Sequence, residues 1–251
     1  MIYIVSDIHG CLKTLQKSLE NVNFNEKEDK LYILGDIVDR GPYIWETYQW
    51  VKERIGESVF MILGNHEYEL INDVYTKKGL EIMKNNLPII TTHDKKYVEV
   101  AKKSRYVIDN YHTILSLMQK GITLDELVEM CEFFDRLPLY YILDINGKTY
   151  RLVHAYCRKE IDETPKEDIV WARNFSFSHE FCYGENVIFG HTPTINFGTR
   201  EAIVEEDTQI DATKINIDCG CVYGNQLCLL RLDDFKFFYQ KDIDMNLRID
   251  Y

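Results

Sequence analysis

Five short stretches hold most of the side chains in this chain that could do chemistry. "SDIHG" (6–10) carries Asp7 and His9, and "GDIVDRG" (35–41) carries Asp36, Asp39 and Arg40. "GNHE" (64–67) carries Asn65, His66 and Glu67, "VHA" (153–155) carries His154, and "GHT" (190–192) carries His191 and Thr192. Any one of them alone reads as a capped turn, a solvated ion pair or a satisfied core histidine. Together they differ from a scatter, because four of the seven histidines fall in these stretches, each directly after an apolar run. A metal site accounts for that placement and independent turns do not.

The donor types fix the chemistry further. Imidazole nitrogen with carboxylate or amide oxygen suits borderline and hard divalent cations. Asp7, His9, Asp36, Asn65, His154 and His191 are enough for two such ions, with Asp36 as the bridging carboxylate. Two ions about 3.5–4 Å apart clamp a phosphoryl group and lower the pKa of a shared water toward neutrality, so no covalent nucleophile is required. His66, next to the ligand Asn65, is placed to protonate the leaving oxygen. Asp39 can orient and charge that imidazole, and the planar fork of Arg40 can meet phosphate oxygens. Manganese is the first expectation for the metal, with iron, zinc and magnesium also suited to this donor set.

The elements that must position these groups alternate between strand and helix. Ile2–Val5, "KLYILG" and "SVFMILG" (58–64) read as buried strands. Helical patterns separate them, at Leu12, Leu15, Leu19 and Val22 and at 45–55. This is an α/β arrangement, whose ligand crevice lies at the carboxyl ends of the strands. Residues 68–135 read as a mostly helical insertion without a chemical motif; Thr123 and Glu126 form a capping-box pattern there. "YYILDI-NG-KTYRLVHA" predicts a hairpin with a type I′ turn at Asn146-Gly147. "ENVIFGHT" is a further strand, and "INIDCGCVYGNQLCLLRLDDFKFFYQ" predicts two or three antiparallel strands with a turn at Gly224-Asn225. One domain spanning 1–251 is the economical organisation.

Composition bounds the partners. A net charge of −12 argues against broad nucleic-acid binding, which depends on neutralising phosphates. No apolar run approaches the ~20 residues of a membrane span, and the N-terminus lacks the pattern of a signal peptide. The seven cysteines show no paired zinc spacing and are expected as reduced thiols in a cytoplasmic protein, monomeric by default. Cys219-Gly-Cys221 is the one close pair, a weak metal or redox signal.

With these motifs in view the chain resembles the calcineurin-like metallophosphoesterases, within them the phosphoprotein phosphatase branch, marked by GDxHG, GDxxDRG and GNHE followed by two separate histidines. "FFDRLPLYYIL" (133–143) and "DIVWARN" (168–174) extend the likeness, while 68–135 match poorly. The resemblance implies a β-sandwich flanked by helices, with a dinuclear site at loops along one edge. It implies one metal on Asp7, His9 and Asp36, the other on Asp36, Asn65, His154 and His191, an acid pair of His66 with Asp39, and phosphate binding by Arg40 and Arg173. Arg173 rests on the resemblance alone. Ser6 departs from the first glycine of the pattern, and Ala155-Tyr156 follows His154 where the family often has glycine, which brings Tyr156 forward as a substrate contact. "GHT" lacks a second histidine, which favours phosphatase or dinucleotide hydrolase over phosphodiesterase. The first functional expectation is a serine/threonine protein phosphatase acting on phosphoproteins or small phosphate esters. The alternative is a symmetrical diadenosine tetraphosphate hydrolase, with Tyr156, Tyr68 or Tyr223 as a base platform.

Overall fold

The computed structural model describes residues 1–75, 111–178 and 185–244. Two five-stranded sheets form its frame. The first has the order β10-β9-β1-β2-β3 and contains β1 (Ile2–Val5), β2 (Lys30–Ile33), β3 (Val59–Met61), β9 (Gln226–Arg231) and β10 (Lys236–Lys241). The second has the order β4-β5-β6-β8-β7, from β4 (Tyr140–Ile145), β5 (Lys148–Val153), β6 (Asn186–Phe189), β7 (Ile203–Asp207) and β8 (Ala212–Asn216). β1, β2 and β3 run parallel to one another, as do β5, β6 and β8.

Side-chain alternation along the strands explains why the sheets stack. Ile4 of β1, Leu152 of β5, Ile188 of β6, Ile215 of β8 and Leu230 of β9 are all buried in one cluster between the sheets. Their neighbours Tyr3 and Val5 face outward, onto α1 (Leu12–Asn21), α2 (Ile44–Lys52), α3 (Asn65–Tyr75), α4 (Tyr111–Gln119) and α5 (Leu124–Asp135). Val153, Val187 and Phe189 face outward from the second sheet, against Phe175. Phe175 lies in α7 (Asn174–Phe177), which follows α6 (Lys166–Trp171). Strands apolar on both faces are what a sheet covered on both sides requires. The result is the expected α/β sandwich.

Local signals fell where the sequence placed them. Thr123 Oγ1 accepts from Glu126 N, and the Glu126 carboxylate accepts from Thr123 N at 2.8 Å, closing the capping box. Asn146 and Gly147 both have positive φ, 53° and 76°, between antiparallel β4 and β5, as a type I′ turn demands. The helical reading of 98–121 lies outside the described residues up to 110, and is helical from Tyr111. Of the antiparallel strands expected in "INIDCGC…", β9 and β10 do pair so, and the correction concerns β8, which stands in the other sheet. β8 pairs with β6 and β7 in the second sheet, and the chain then crosses to the first through a 3-10 turn at Cys221–Tyr223. Gly224 closes that turn and is not the tip of a hairpin. β7 carries no strong pattern because its positions alternate between half-buried and exposed, with none fully buried. Among the described residues no helix is long and apolar enough to cross a membrane.

One acidic side chain locks the strand ends together. Glu67, fully buried in the first turn of α3, reaches back under the loop after β2. Its Oε1 accepts from the backbone N–H of Ile37 at 2.8 Å and of Val38 at 3.2 Å. Its Oε2 accepts from Asp36 N at 2.8 Å and Gly64 N at 3.1 Å. Burial pushes its carboxyl pKa up while these backbone donors oppose the shift. Glu67→Gln leaves two of the four buried N–H groups facing an amide NH2 whichever way the amide turns. The expected cost is about 2–4 kcal/mol in urea denaturation; a change within about 0.5 kcal/mol would show that the clamp does not hold the loop.

Candidate metal centre

Five loops meet at one edge of the two sheets, each directly after a strand. His9 N donates to Asp36 O at 2.8 Å and Gly10 N to Ile37 O at 2.9 Å, zipping the loop after β1 to the loop after β2. His66 N donates to Asp36 Oδ1 at 3.0 Å, tying in the loop after β3. Gly190 N donates to His154 O at 2.9 Å, and His191 N to Asp7 Oδ2 at 3.0 Å, joining the second sheet to the first. These turns are tight enough that Asp7, His9, Asp36, Asp39, Arg40 and His191 all adopt positive φ, between 45° and 69°. Such backbone is unfavourable for residues with a Cβ and persists where the surroundings over-determine it, commonly at functional sites. Close approach also explains two glycines. A Cβ on Gly64 would lie 2.2 Å from Asp36 Oδ1, and one on Gly190 would lie 1.9 Å from Ser6 Oγ. Ser6 therefore takes the space that Gly190 leaves, and its hydroxyl donates to Asp7 Oδ2.

The six expected ligands converge. Asp36 Oδ2 lies 3.7 Å from His9 Nε2 and 3.5 Å from His154 Nε2. Asn65 Oδ1 lies 2.9 Å from His154 Nε2 and 2.8 Å from His191 Nδ1. Asp36, His154 and His191 offer atoms within 4.8 Å of one another, and so do His9, Asp36 and His66. Asp7, buried, reaches this cluster through its bonds to Ser6 and His191 N.

Each of the three imidazoles expected as ligands is held by its far nitrogen on a backbone carbonyl. His9 Nδ1 donates to Val38 O at 2.7 Å, His154 Nδ1 to Leu34 O at 2.6 Å, and His191 Nε2 to Trp171 O at 3.2 Å. The tautomer is then fixed, and the other nitrogen presents a lone pair to the cluster, the arrangement outer partners impose on metal-binding histidines. Burial, with the Arg40 charge, holds His9 well below the usual imidazole range, and burial lowers His154. His191 is pushed down to about 2, by burial first and then by His154 and Arg173. Burial, followed by the charges of Asp7 and Glu67, pushes the Asp36 carboxyl well up. Lone pairs of His154 and His191 thus face Asn65 Oδ1 with no proton between them. A divalent cation satisfies all of these acceptors at once, so the donor set fits the expected group.

The expected acid pair and phosphate-binding arginines lie at the mouth. His66 Nδ1 is 2.6 Å from Asp39 Oδ2. Asp39 is buried and held by Thr113, whose N donates to Oδ1 at 3.1 Å and whose hydroxyl also bonds that oxygen. Arg40 Nη2 is 2.7 Å from His66 Nε2, its Nη1 contacts His9 Nε2, and its guanidinium sits 5.6 Å from the centroid of Tyr223. Arg173 donates to Thr192 Oγ1 at 2.7 Å. Asp36, Arg40, Asn65, His66, Arg173 and His191 line a cavity of about 630 Å³, together with Trp171, Phe177, Pro193, Ile195, Asn196 and Tyr223. Tyr156 is not among these residues; its ring packs against Phe175 at 4.8 Å. Tyr68 bonds Glu167 at 2.9 Å and also stands outside the lining.

Three contributors lie beyond the expected set. Glu67 stands inside "GNHE", but nothing in its spacing reveals the four N–H groups it accepts. Thr113 comes from the helical region 68–135, in which no motif points to Asp39. Asp218 follows β8 in "DCG"; it is buried and accepts from Gly220 N at 2.9 Å, and burial with the Asp7 charge raises its carboxyl pKa well up. An acidic residue and a glycine directly after an apolar run is the signal that could have found it.

The chain is similar to curated proteins along its length and to solved structures in its fold. A symmetrical bis(5'-nucleosyl)-tetraphosphatase of Actinobacillus succinogenes is 26% identical over 280 residues, covering 96% of this chain and 97% of that protein. The enzyme of the same name from Aliivibrio fischeri strain MJ11 is 28% identical over 285 residues, covering 96% and 98%. A crystal structure provisionally assigned as a diadenosine tetraphosphatase matches with a TM-score of 0.59 at 19% identity, over 96% of this chain and 92% of its own. The cold-active protein-tyrosine phosphatase of a Shewanella species matches with a TM-score of 0.56 at 14% identity, over 95% and 80%. At such identities these two structures speak for the fold alone. Residues 1–195 match the calcineurin-like phosphoesterase family, so the chain belongs to that family of phosphate-ester hydrolases built on a dinuclear divalent metal centre.

Proposed function

We propose that the chain hydrolyses dinucleoside tetraphosphates at the central anhydride, releasing two nucleoside diphosphates. The observation that carries this reading is the cavity itself, in which the phosphate-binding arginines Arg40 and Arg173 share one space with Trp171, Phe177 and Tyr223. These three rings are 37%, 67% and 52% exposed, so each presents surface to the cavity. Tyr223 stands with Arg40 at the His9 end of the cluster, and Trp171 stands with His191 at the other, 5.8 Å between centroids. A polyphosphate over the centre with a base stacked toward either end fits that layout. The names of the full-length relatives support the dinucleotide over the phosphopeptide, so the protein-phosphatase expectation gives way to its alternative.

In this reading Asp7, His9 and Asp36 hold one cation, and Asp36, Asn65, His154 and His191 the other. When bound, the two cations supply Lewis-acid polarisation of the phosphoryl group and a water that loses its proton near neutral pH. Asp39 accepts the Nδ1 proton of His66, which turns Nε2 toward the cavity. Arg40 now occupies both His9 Nε2 and His66 Nε2. A cation held by His9 would take that nitrogen from Arg40, and when the guanidinium turns to phosphate oxygens it also leaves His66 Nε2, which can then take a proton from solvent and pass it to the leaving oxygen. A diphosphate leaves readily, its last proton having a pKa near about 6. His66 therefore matters less for the anhydride than for an alkyl phosphate.

A turnover panel in manganese tests the reading, using diadenosine tetraphosphate, a phosphoserine peptide and inorganic tetraphosphate. The dinucleotide is expected to lead the peptide in kcat/KM by roughly 100-fold or more, the scale of two stacked bases. Trp171→Ala is expected to raise KM for the dinucleotide by roughly 5–100-fold, with little change for inorganic tetraphosphate. Preference for the phosphopeptide would restore the protein-phosphatase reading.

A further inference from the structure

A second cluster of metal-type donors lies in the core, apart from the dinuclear centre. Cys11, Cys221 and Asp242 place two sulfurs and a carboxylate oxygen within 4.8 Å of one another, and all three residues are buried. They come from three separate segments. Cys11 precedes α1, Cys221 opens the 3-10 turn between the sheets, and Asp242 follows β10. The Cys11 and Cys221 thiols are free and hydrogen-bond to each other.

Asp244 adjoins this cluster and adds an independent sign of a missing partner. It is 0% exposed, and its Oδ2 accepts from Thr14 Oγ1 at 2.6 Å and Thr14 N at 3.0 Å. The same Thr14 hydroxyl reaches Asp242 Oδ1 at 3.4 Å, and Asp244 N donates to that oxygen at 2.9 Å. Asp244 Oδ1 is buried with no hydrogen-bond partner among the described residues. A buried carboxylate oxygen left so is costly unless something positive completes it.

We propose that Cys11, Cys221 and Asp242, with the Asp244 carboxylate beside them, form a sulfur-bearing site for one soft divalent cation of the zinc or cadmium type. Tetrahedral zinc with Zn–S near about 2.3 Å sets its sulfurs roughly 3.8 Å apart, within the spread of this cluster. Thiolate donors select soft ions, whereas the imidazole, amide and carboxylate set at the strand ends accepts manganese or magnesium. The two sites therefore sort metals by donor type. Uptake releases one proton from each sulfur to solvent, and each sulfur then gives an electron pair to the cation. The bound ion ties the loop that carries His9 to the turn that carries Tyr223 and to the segment after β10.

Cadmium titration of the manganese-loaded enzyme tests this. The dinuclear cluster contains no sulfur, so the ultraviolet thiolate-to-cadmium absorption reports thiol ligation alone. A saturable band with one cadmium per chain is expected. Cys221→Ser should abolish it, while Cys219→Ser, which alters the other buried thiol pair with Cys228, should keep it. Asp242→Asn, which retains both thiols, should raise the half-saturating cadmium concentration by roughly 10-fold or more. No band in the parent enzyme, an unchanged band in Cys221→Ser, or an unchanged half-saturation in Asp242→Asn would each overturn the proposal.

Discussion

Asp36 Oδ2 lies between two imidazole nitrogens, 3.7 Å from His9 and 3.5 Å from His154, while its partner oxygen accepts the backbone N–H of His66. Bringing one carboxylate into contact with three strand-end loops is the constraint that the rest of the edge obeys. The loop after β2 must turn through positive φ at Asp36, Asp39 and Arg40. Gly64 must lack a side chain, because any Cβ would strike the Asp36 carboxylate and backbone. Glu67 must then hold the turn from beneath, since its two oxygens take the N–H groups that the sharp turn leaves unpaired.

The electrostatics follow from the same crowding. Burial drives the imidazoles of His9, His154 and His191 toward neutrality and drives the carboxyl of Asp36 in the same direction. Each group is pushed to its uncharged form, and the carbonyls behind the rings leave their inner nitrogens as acceptors. A site made of acceptors is built for cations. At the rim the charge pattern reverses, with Arg40 and Arg173 facing a cavity edged by aromatic rings. In the proposed reading, cations below and arginines above would leave a slot for an anionic phosphate chain.

Much of this was legible in the sequence, for physical reasons. Strand ends in a layered α/β fold point to one edge, so histidines and aspartates that each follow an apolar run could be expected to meet. The capping box at Thr123 and the turn at Asn146-Gly147 were legible because their chemistry is local. Thr113 was not, since its bond to Asp39 spans 74 positions and depends on how α4 packs. Asp218 was hidden because β8 looked continuous with β9, whereas the chain changes sheets between them. The aromatic wall shows the same limit. Tyr223 was one of three tyrosines named as a possible base platform, whereas Trp171 stood in "DIVWARN" with no role assigned and Phe177 in α7 carries no motif.

The central claim, that Asp36 is shared between two cations held by this edge, is tested most directly by metal content after dialysis against a weak chelator. The account predicts two manganese equivalents per chain in the parent enzyme and in His66→Asn, which removes the acid but no ligand. It predicts fewer than one in Asp36→Asn, because both positions lose a donor together. Two equivalents retained by Asp36→Asn would contradict it.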